Sequence, residues 1–216
     1  ADNVKLTSDG VFYELYFKGK RHQIHYSVPG LFSVYNSLAA LAAGFILDLP
    51  IDSMISALSK VKGVPGRFEP INCGQDFTVI VDYSHTPDSL RNAIQTAKGF
   101  SKGKIITVFG CGGDRDREKR PQMGKIATQL SDFAIITSDN PRSENPESIL
   151  VDIEKGTIGA NYEKIVDRRL AIKRAIEIAK TGDVVIISGK GHEDYQILND
   201  KIIYFDDRVV AKELLM

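Results

Sequence analysis

The chain contains 216 residues, of which 43% are hydrophobic and 26% are charged. This composition is typical of a globular protein with room for one large domain, or for one domain and a piece of another. Lysine and arginine together number 28, as do aspartate and glutamate, so the formal net charge is zero. The balance gives no electrostatic reason to expect nucleic acid or an anionic membrane surface as the main partner.

Two cysteines, Cys73 and Cys111, have neither the spacing of a metal site nor the number that a disulfide framework needs. Both are predicted to be packing residues, and their scarcity favours a cytoplasmic location. No apolar run approaches the ~18 residues needed to span a bilayer. The chain begins at Ala1, without an initiator methionine or a signal sequence, so we expect a piece of a longer protein.

The first 65 residues mix strand and helix signals. Alternating apolar residues over 11–26, with a turn at Lys18-Gly19-Lys20, predict a β-hairpin. The spacing of apolar residues predicts a helix over 33–47, and Pro50-Ile51-Asp52 is a typical start for a second helix. The breaker-rich segment 62–67 is the candidate boundary between two predicted domains, 1–65 and 66–216.

From about residue 76 the chain alternates regularly between strand and helix patterns. Strands are predicted over 77–81, 104–109, 133–137, 164–166 and 183–188. Helices are predicted from the Thr86-Pro87-Asp88 cap to Ala97, and over 122–130, 146–153 and 168–180. A hairpin over 195–204 is expected at the sheet edge. Short loops between successive units predict an α/β fold with a doubly wound, mostly parallel sheet.

Four loops that follow these strands are rich in glycine and ionisable residues. They are Asp82-Tyr83-Ser84-His85, Gly110-Cys111-Gly112-Gly113-Asp114-Arg115-Asp116-Arg117, Asp139-Asn140-Pro141-Arg142 and Gly189-Lys190-Gly191-His192-Glu193-Asp194. Loops at the carboxyl ends of parallel strands line one crevice, so we expect the four to converge. The helix after the third loop is predicted to start at Asn145-Pro146-Glu147.

The chemistry of these loops suggests a small zwitterionic ligand. The glycines allow the backbone to approach an anion, but neither glycine-rich loop has a nucleotide fingerprint, and a tight turn is an equal interpretation. Arg115 and Arg142 could each hold a carboxylate through a bidentate fork, while Asn140 and Glu193 could receive an amine. An amino acid would match that set. For His85 a structural or solvated role is as plausible as catalysis, and no metal site is predicted.

Five motifs, in order along the chain, closely resemble the Mur ligase family. They are Gly66-Arg67-Phe68-Glu69, Asp82-Tyr83-Ser84-His85-Thr86-Pro87, Gly110-Cys111-Gly112-Gly113-Asp114-Arg115-Asp116 with Lys119-Arg120-Pro121, Asp139-Asn140-Pro141-Arg142 and Gly189-Lys190-Gly191-His192-Glu193. The resemblance implies that residues 66–216 form the family's Rossmann-like C-terminal domain, which brings the incoming amino acid. Residues 1–65 would be the C-terminal remnant of the central ATPase domain, a partial segment made of a β-hairpin and two helices.

The resemblance also implies ATP-dependent amide formation in peptidoglycan synthesis, in which meso-diaminopimelate is added to UDP-N-acetylmuramoyl-L-alanyl-D-glutamate. By similarity, the residues that bind diaminopimelate would be Arg115, Asp139, Asn140, Arg142, Gly189 and Glu193. Those that meet the nucleotide would be Asn36, Arg67, Asp82 and His85. The family uses ATP and Mg²⁺, but its phosphate loop and main magnesium ligands are absent from this chain. We therefore expect no catalytic residue in this chain and no turnover by the chain alone.

Two alternatives stay open. A ligase that adds lysine or glutamate would share most of these motifs, although the Arg142 guanidinium needs an anion that a lysine side chain lacks. A non-catalytic α/β domain would carry similar polar loops as an interaction surface, with no small-molecule ligand.

Overall fold

The computed structural model describes all residues, 1–216, and divides the chain into two compact units, residues 1–64 and 65–216. The first unit contains an antiparallel sheet of three strands, β1 (Asp2–Thr7), β2 (Gly10–Phe17) and β3 (Lys20–Tyr26). Two helices follow, α1 (Leu31–Ile46) and α2 (Ile51–Leu58). None of the helices in the chain is long and apolar enough to cross a membrane.

The first unit confirms the predicted hairpin, which is β2 and β3, but it also contains a third strand that was not predicted. Strand β1 pairs with β2, and it was not predicted because only Val4 and Leu6 of its six residues are apolar and most of the strand is exposed. The inward face of the sheet packs Val11, Tyr13 and Ile24 against apolar residues of both helices. The buried Tyr13 hydroxyl lies 2.9 Å from the Ser37 hydroxyl on α1, so its polar group is satisfied.

The second unit is built on a six-stranded sheet with the order β4-β5-β9-β6-β7-β8. Its strands are β4 (Glu69–Ile71), β5 (Thr78–Asp82), β6 (Ile105–Phe109), β7 (Phe133–Ile136), β8 (Tyr162–Lys164) and β9 (Val184–Ser188). Its helices are α3 (Pro87–Lys98), α4 (Lys119–Leu130), α5 (Pro146–Glu154), α6 (Arg168–Ile178) and α7 (Asp207–Leu215). Only β4 runs antiparallel to its neighbour.

Strand β9 shows why the sheet is covered on both faces. All five of its residues are buried, because the strand lies between β5 and β6 and packs against helices above and below. Val184 and Ile186 join the core formed with α3, α4 and α5, whereas Val185 and Ile187 join the core formed with α6 and α7. The doubly wound, mostly parallel α/β fold predicted from the sequence is therefore confirmed.

Two predicted helix starts are also confirmed. The Thr86 hydroxyl caps α3 by accepting from the Ser89 amide, and Pro87 occupies the first turn. The Asn145 side chain caps α5 by accepting from the Glu147 amide at 2.8 Å, with Pro146 in the first turn. These two caps define where the loop after β5 and the loop after β7 end.

Three elements differ from the sequence-based expectations. Helix α4 begins at Lys119 rather than Gln122, because Pro121 falls in the first turn, where no amide donor is needed. The strand expected over 164–166 is β8, two residues earlier. Strand β4 was not predicted, since it has three residues and contains Pro70, which an edge strand tolerates.

The hairpin expected at the sheet edge exists, but its predicted place was wrong. Strands β10 (Tyr195–Leu198) and β11 (Lys201–Tyr204) form a separate two-stranded ribbon that does not extend the main sheet. The ribbon instead pairs with the loop after β7. The Arg142 amide donates to the Ile197 carbonyl at 3.1 Å, and the Asn199 amide donates to the Arg142 carbonyl at 2.8 Å. It therefore supports one of the polar loops from outside the sheet.

Candidate functional site

A cavity of about 480 Å³ opens at the carboxyl ends of β5, β6, β7 and β9. The structure brings the four polar loops together there, as expected for parallel strands of one sheet. Seven residues singled out from the sequence line the cavity: His85, Arg115, Asp139, Asn140, Arg142, Gly189 and Glu193.

Three of the sequence-predicted residues lie elsewhere. The Arg67 guanidinium stacks over the Tyr83 ring at 4.5 Å, so it reaches the cavity only through a residue that lines it. Asp82 ends β5 and does not line the cavity. Its carboxylate accepts from the Phe68 amide at 2.8 Å and from the Ser84 amide at 3.0 Å. Asn36 is an exposed residue of α1, in the first unit.

Both arginines of the cavity lack a carboxylate partner within the protein, because neither takes part in any of the chain's ion pairs. Nη1 of Arg142 donates to the Gly113 carbonyl at 2.9 Å and to the Asn140 carbonyl at 3.3 Å, which leaves Nε and Nη2 unshared. Nη1 of Arg115 donates to the Asp114 carbonyl at 3.0 Å. Two oriented cations are thus available to an anionic ligand.

On another side of the cavity, three polar side chains bond to one another. Asn140 Nδ2 donates to Glu193 Oε2 at 3.0 Å, and the Lys190 ammonium lies 3.3 Å from that oxygen and 3.4 Å from Asn140 Oδ1. The Ile197 amide also donates to Asn140 Oδ1, at 3.0 Å. Glu193 Oε1 makes no hydrogen bond within the protein and remains an acceptor for a ligand.

The loop after β6 is joined to the loop after β7 by a set of hydrogen bonds that involve both main chain and side chains. The Asp114 carboxylate accepts from the Ser143 hydroxyl at 2.7 Å and from its amide at 3.1 Å, which lowers the Asp114 pKa. In return, the Asp114 amide donates to Glu144 at 2.7 Å. Asp114 and Arg142 both have left-handed backbones, with φ of 53° and 51°, so these contacts hold two strained residues beside the cavity.

Arg120, which is fully buried, lies beneath both loops. It donates to both Glu144 oxygens, at 3.0 and 2.8 Å, and to Asp152 on α5 at 3.0 Å. The hydrogen bonds from Arg120 are the main cause that lowers the Glu144 pKa from 4.5 to about 2. Arg120 was predicted only as part of a motif, since nothing in its local sequence pattern indicates burial.

The glycines of these loops serve close packing between the loops. A Cβ atom on Gly113 would lie 1.9 Å from the Pro141 carbonyl oxygen, and one on Gly189 would lie 2.6 Å from Asp139 Oδ2. Gly189 also has a φ of 123°, which disfavours any side chain. Larger residues at these two positions would push apart the loops that carry Arg115, Arg142 and Glu193.

Tyr83, Lys119 and Tyr195 were not predicted as ligand-binding residues, yet all three line the cavity. Lys119 donates to the His85 carbonyl at 3.0 Å, and His85 Nδ1 lies 2.9 Å from the Tyr83 carbonyl. Tyr83 and Lys119 lie in or beside quoted motifs, so the motifs were an available signal. Tyr195 belongs to the ribbon and has no such signal.

Cys111 lies beside the cavity, but its thiol is expected to be unreactive. Its thiol is 2% exposed, and burial raises its pKa to about 12. A buried, protonated thiol is a poor nucleophile, which agrees with the prediction that it is a packing residue. No group of three or more His, Cys, Asp or Glu side chains is arranged to hold a metal ion.

Comparison with known proteins gives a consistent result. The UDP-N-acetylmuramoyl-L-alanyl-D-glutamate--2,6-diaminopimelate ligases of Syntrophomonas wolfei and Bacillus cereus are 52% and 50% identical to this chain. Both matches cover the whole chain, which spans 45% and 44% of those relatives. A solved structure of a ligase with the same name matches 99% of the chain and 44% of its own, with 37% identity and a TM-score of 0.80.

A family model described as "Mur ligase, glutamate ligase domain" matches residues 66–191, more than half of the chain. The matched range includes β4 to β9 and all four loops that line the cavity except the residues after Gly191. The fold, the ordered motifs and these similarities agree, and the chain belongs to the Mur ligase family.

Proposed function

We propose that the chain is the amino-acid-binding part of an ATP-dependent ligase that adds meso-diaminopimelate to UDP-N-acetylmuramoyl-L-alanyl-D-glutamate. The observation that carries the proposal is the charge arrangement in the cavity: two arginines without a carboxylate partner, and a glutamate oxygen without a donor. Relatives about half identical to the chain bear the name of such a ligase. The chain spans less than half of their length, so the activity is proposed for a parent protein.

Diaminopimelate carries a carboxylate and an ammonium group at each end. Arg115 and Arg142 would hold the carboxylate of the end that does not react, and Glu193 Oε1 would accept from the ammonium beside it. The remaining N–H of Asn140 would donate to the same end, and Asp139 and Gly189 also line the cavity. Binding of one end would present the opposite amine for attack on the activated D-glutamate carboxylate, which is catalysis by positioning.

The first loop and its neighbour Arg67 form the proposed nucleotide-binding edge of the cavity. Arg67 has no ion pair, and the Nε2 atom of the exposed His85 has no hydrogen bond within the protein, so both are free to meet phosphate oxygens. Asp82 has acceptor capacity left for a ribose hydroxyl, and Asn36 is proposed for the adenine side. ATP supplies the activation of the carboxylate in the parent enzyme. Comparing calorimetric titrations of ATP into the wild-type chain and into Arg67→Ala tests this edge, and equal affinities would contradict it.

Isothermal titration calorimetry with meso-diaminopimelate and L-lysine tests the amino-acid assignment. We expect diaminopimelate to bind at least about 100-fold more tightly, because lysine with its side-chain end at Arg115 and Arg142 offers no carboxylate to the arginine forks. If lysine bound as tightly as diaminopimelate, the assignment would fail. If neither ligand bound, the alternative of a non-catalytic interaction domain would gain support.

We also propose that the chain alone has no ligase turnover, since its 216 residues contain no glycine-rich phosphate loop of the P-loop type. No step through magnesium is assigned to its residues. Incubation with ATP, Mg²⁺, the UDP-linked dipeptide and diaminopimelate, followed by chromatography, should give no product above a control without protein. Product formation that depends on the chain would contradict this proposal.

A further inference from the structure

Lys190 is an unusual residue for a surface loop, because its side chain is fully buried. It lies between Gly189 and Gly191, whose φ angles of 123° and 54° belong to the left-handed region. A Cβ on Gly191 would lie 2.6 Å from the Gly66 carbonyl oxygen, so the turn packs tightly against a neighbouring loop. The two glycines let the chain reverse here with the lysine beneath the loop.

The Lys190 ammonium has three partners, and each partner lines the cavity. It lies 3.3 Å from Glu193 Oε2 and 3.4 Å from Asn140 Oδ1, and 5.3 Å from the centre of the Tyr195 ring. An ammonium group removed from water is costly unless such partners replace its hydration. Lys190 itself is not among the residues that line the cavity.

These contacts restrict the two residues that would face the ligand. Glu193 Oε2 is occupied by Lys190 and by Asn140 Nδ2, so the glutamate has a single unshared oxygen, Oε1. Asn140 Oδ1 is occupied by Lys190 and by the Ile197 amide, so its Nδ2 group must face Glu193 and the cavity. The buried Lys190 ammonium thus determines which atoms of Glu193 and Asn140 remain free to bind a ligand.

We propose that Lys190 is a positioning residue, which orients Glu193 and Asn140 for the amino-acid ligand without touching that ligand. The inference rests on the proposed function, because it concerns the same cavity. The effect of Lys190 on binding should pass mainly through Glu193, because the Ile197 amide holds Asn140 Oδ1 independently of the lysine.

A double-mutant cycle in calorimetry tests this role, with meso-diaminopimelate as the probe. We expect Lys190→Met, which keeps the volume and removes the charge, to weaken binding about tenfold. We expect Glu193→Gln to weaken binding as well, and Lys190→Met in that background to change affinity by less than about twofold. A lysine that merely supported the fold would give multiplicative losses. Lys173→Met, on the exposed face of α6, is the matched control and should bind like the wild type.

Thermal unfolding of each variant verifies that the binding comparison is made between folded proteins. Lys190→Gln is the second variant should Lys190→Met fail to fold, and it should show a smaller loss because its amide still donates to Glu193. The inference would be overturned if Lys190→Met bound the ligand as tightly as the wild type or more tightly, or if the losses in the cycle were multiplicative. Either result would leave the proposed function intact. Absence of binding by the wild-type chain would instead overturn both.

Discussion

Arg142 combines a constrained backbone with a side chain that is only partly occupied. Its φ of 51° places it in the left-handed region, and its amide and carbonyl bond to Ile197 and Asn199 of the ribbon. One nitrogen of its guanidinium is held by two backbone carbonyls, which aims the rest of the group. A planar fork fixed in this way suits a carboxylate, whereas a flexible ammonium group would be a point charge only.

Arg142→Lys separates geometry from charge at this position. We expect the substitution to weaken the binding of meso-diaminopimelate about tenfold and Arg142→Ala to weaken it about 100-fold, because the lysine keeps the charge and loses the fork. Titration calorimetry gives both affinities. Arg169→Lys, an exposed residue of α6 paired with Glu213 at 2.7 Å, is the matched control. Binding by Arg142→Lys equal to that of the wild type would show that no bidentate contact is made.

At the scale of elements, the loops after β6 and β7 behave as one support for the two arginines. Glu144 connects them, since it accepts from the Asp114 amide of one loop and from Arg120 at the start of α4. At the other side of the site, the buried Arg168 donates to the Ser138 and Ser188 carbonyls and to Asp207 of α7. Arg168 is therefore a second buried arginine, and it connects the carboxyl ends of β7 and β9.

Glu144→Gln should destabilise the second unit by about 2 kcal/mol, because the buried Arg120 would keep only Asp152 as an ionised partner. The folded-state pKa of Glu144 is lowered to about 2 from 4.5, so its stabilising effect is present above pH 4.5 and is lost as the pH falls towards 2. Urea unfolding at several pH values measures the difference between variant and wild type, which should shrink over that window.

The control for this prediction is Glu177→Gln, on the exposed surface of α6. Its ion pair with Lys173 is 3.7 Å long and more than half exposed on both sides, so the change in unfolding free energy should be below about 0.5 kcal/mol at any pH. A Glu144→Gln effect that stayed constant between pH 7 and pH 3 would contradict the assignment of the stabilisation to the ionised carboxylate.

Some elements could be predicted from the sequence because their signals are local. The Val-Val-Ile-Ile run of β9 indicates a strand buried on both faces, and the Thr86 and Asn145 caps fix two helix starts. Strands β1 and β4 lack such a signal, because one is mostly exposed and the other has three residues with a proline. The position of the ribbon depends on contacts with the loop at Arg142, more than 50 residues earlier, which no local pattern encodes.

The candidate site also combines features that the sequence predicts with features that it does not. Its ionisable loops were predictable, because the carboxyl ends of parallel strands meet at one edge and the motifs mark those ends. The burial of Lys190 and Arg120 was not, since a lysine between two glycines and an arginine at a helix start are typical of solvent-exposed places. Their burial results from the packing of several loops against one another, which only the folded structure determines.

For the whole molecule, the central claim is that one cavity of the second unit holds one end of diaminopimelate between two arginines and a glutamate. The most direct measurement is a crystal structure of the chain with meso-diaminopimelate. We predict a ligand carboxylate within about 3 Å of the guanidinium groups of Arg115 and Arg142, and the adjacent ammonium within about 3 Å of Glu193 Oε1. A ligand bound outside this cavity, or inside it without a contact to either arginine, would contradict the account.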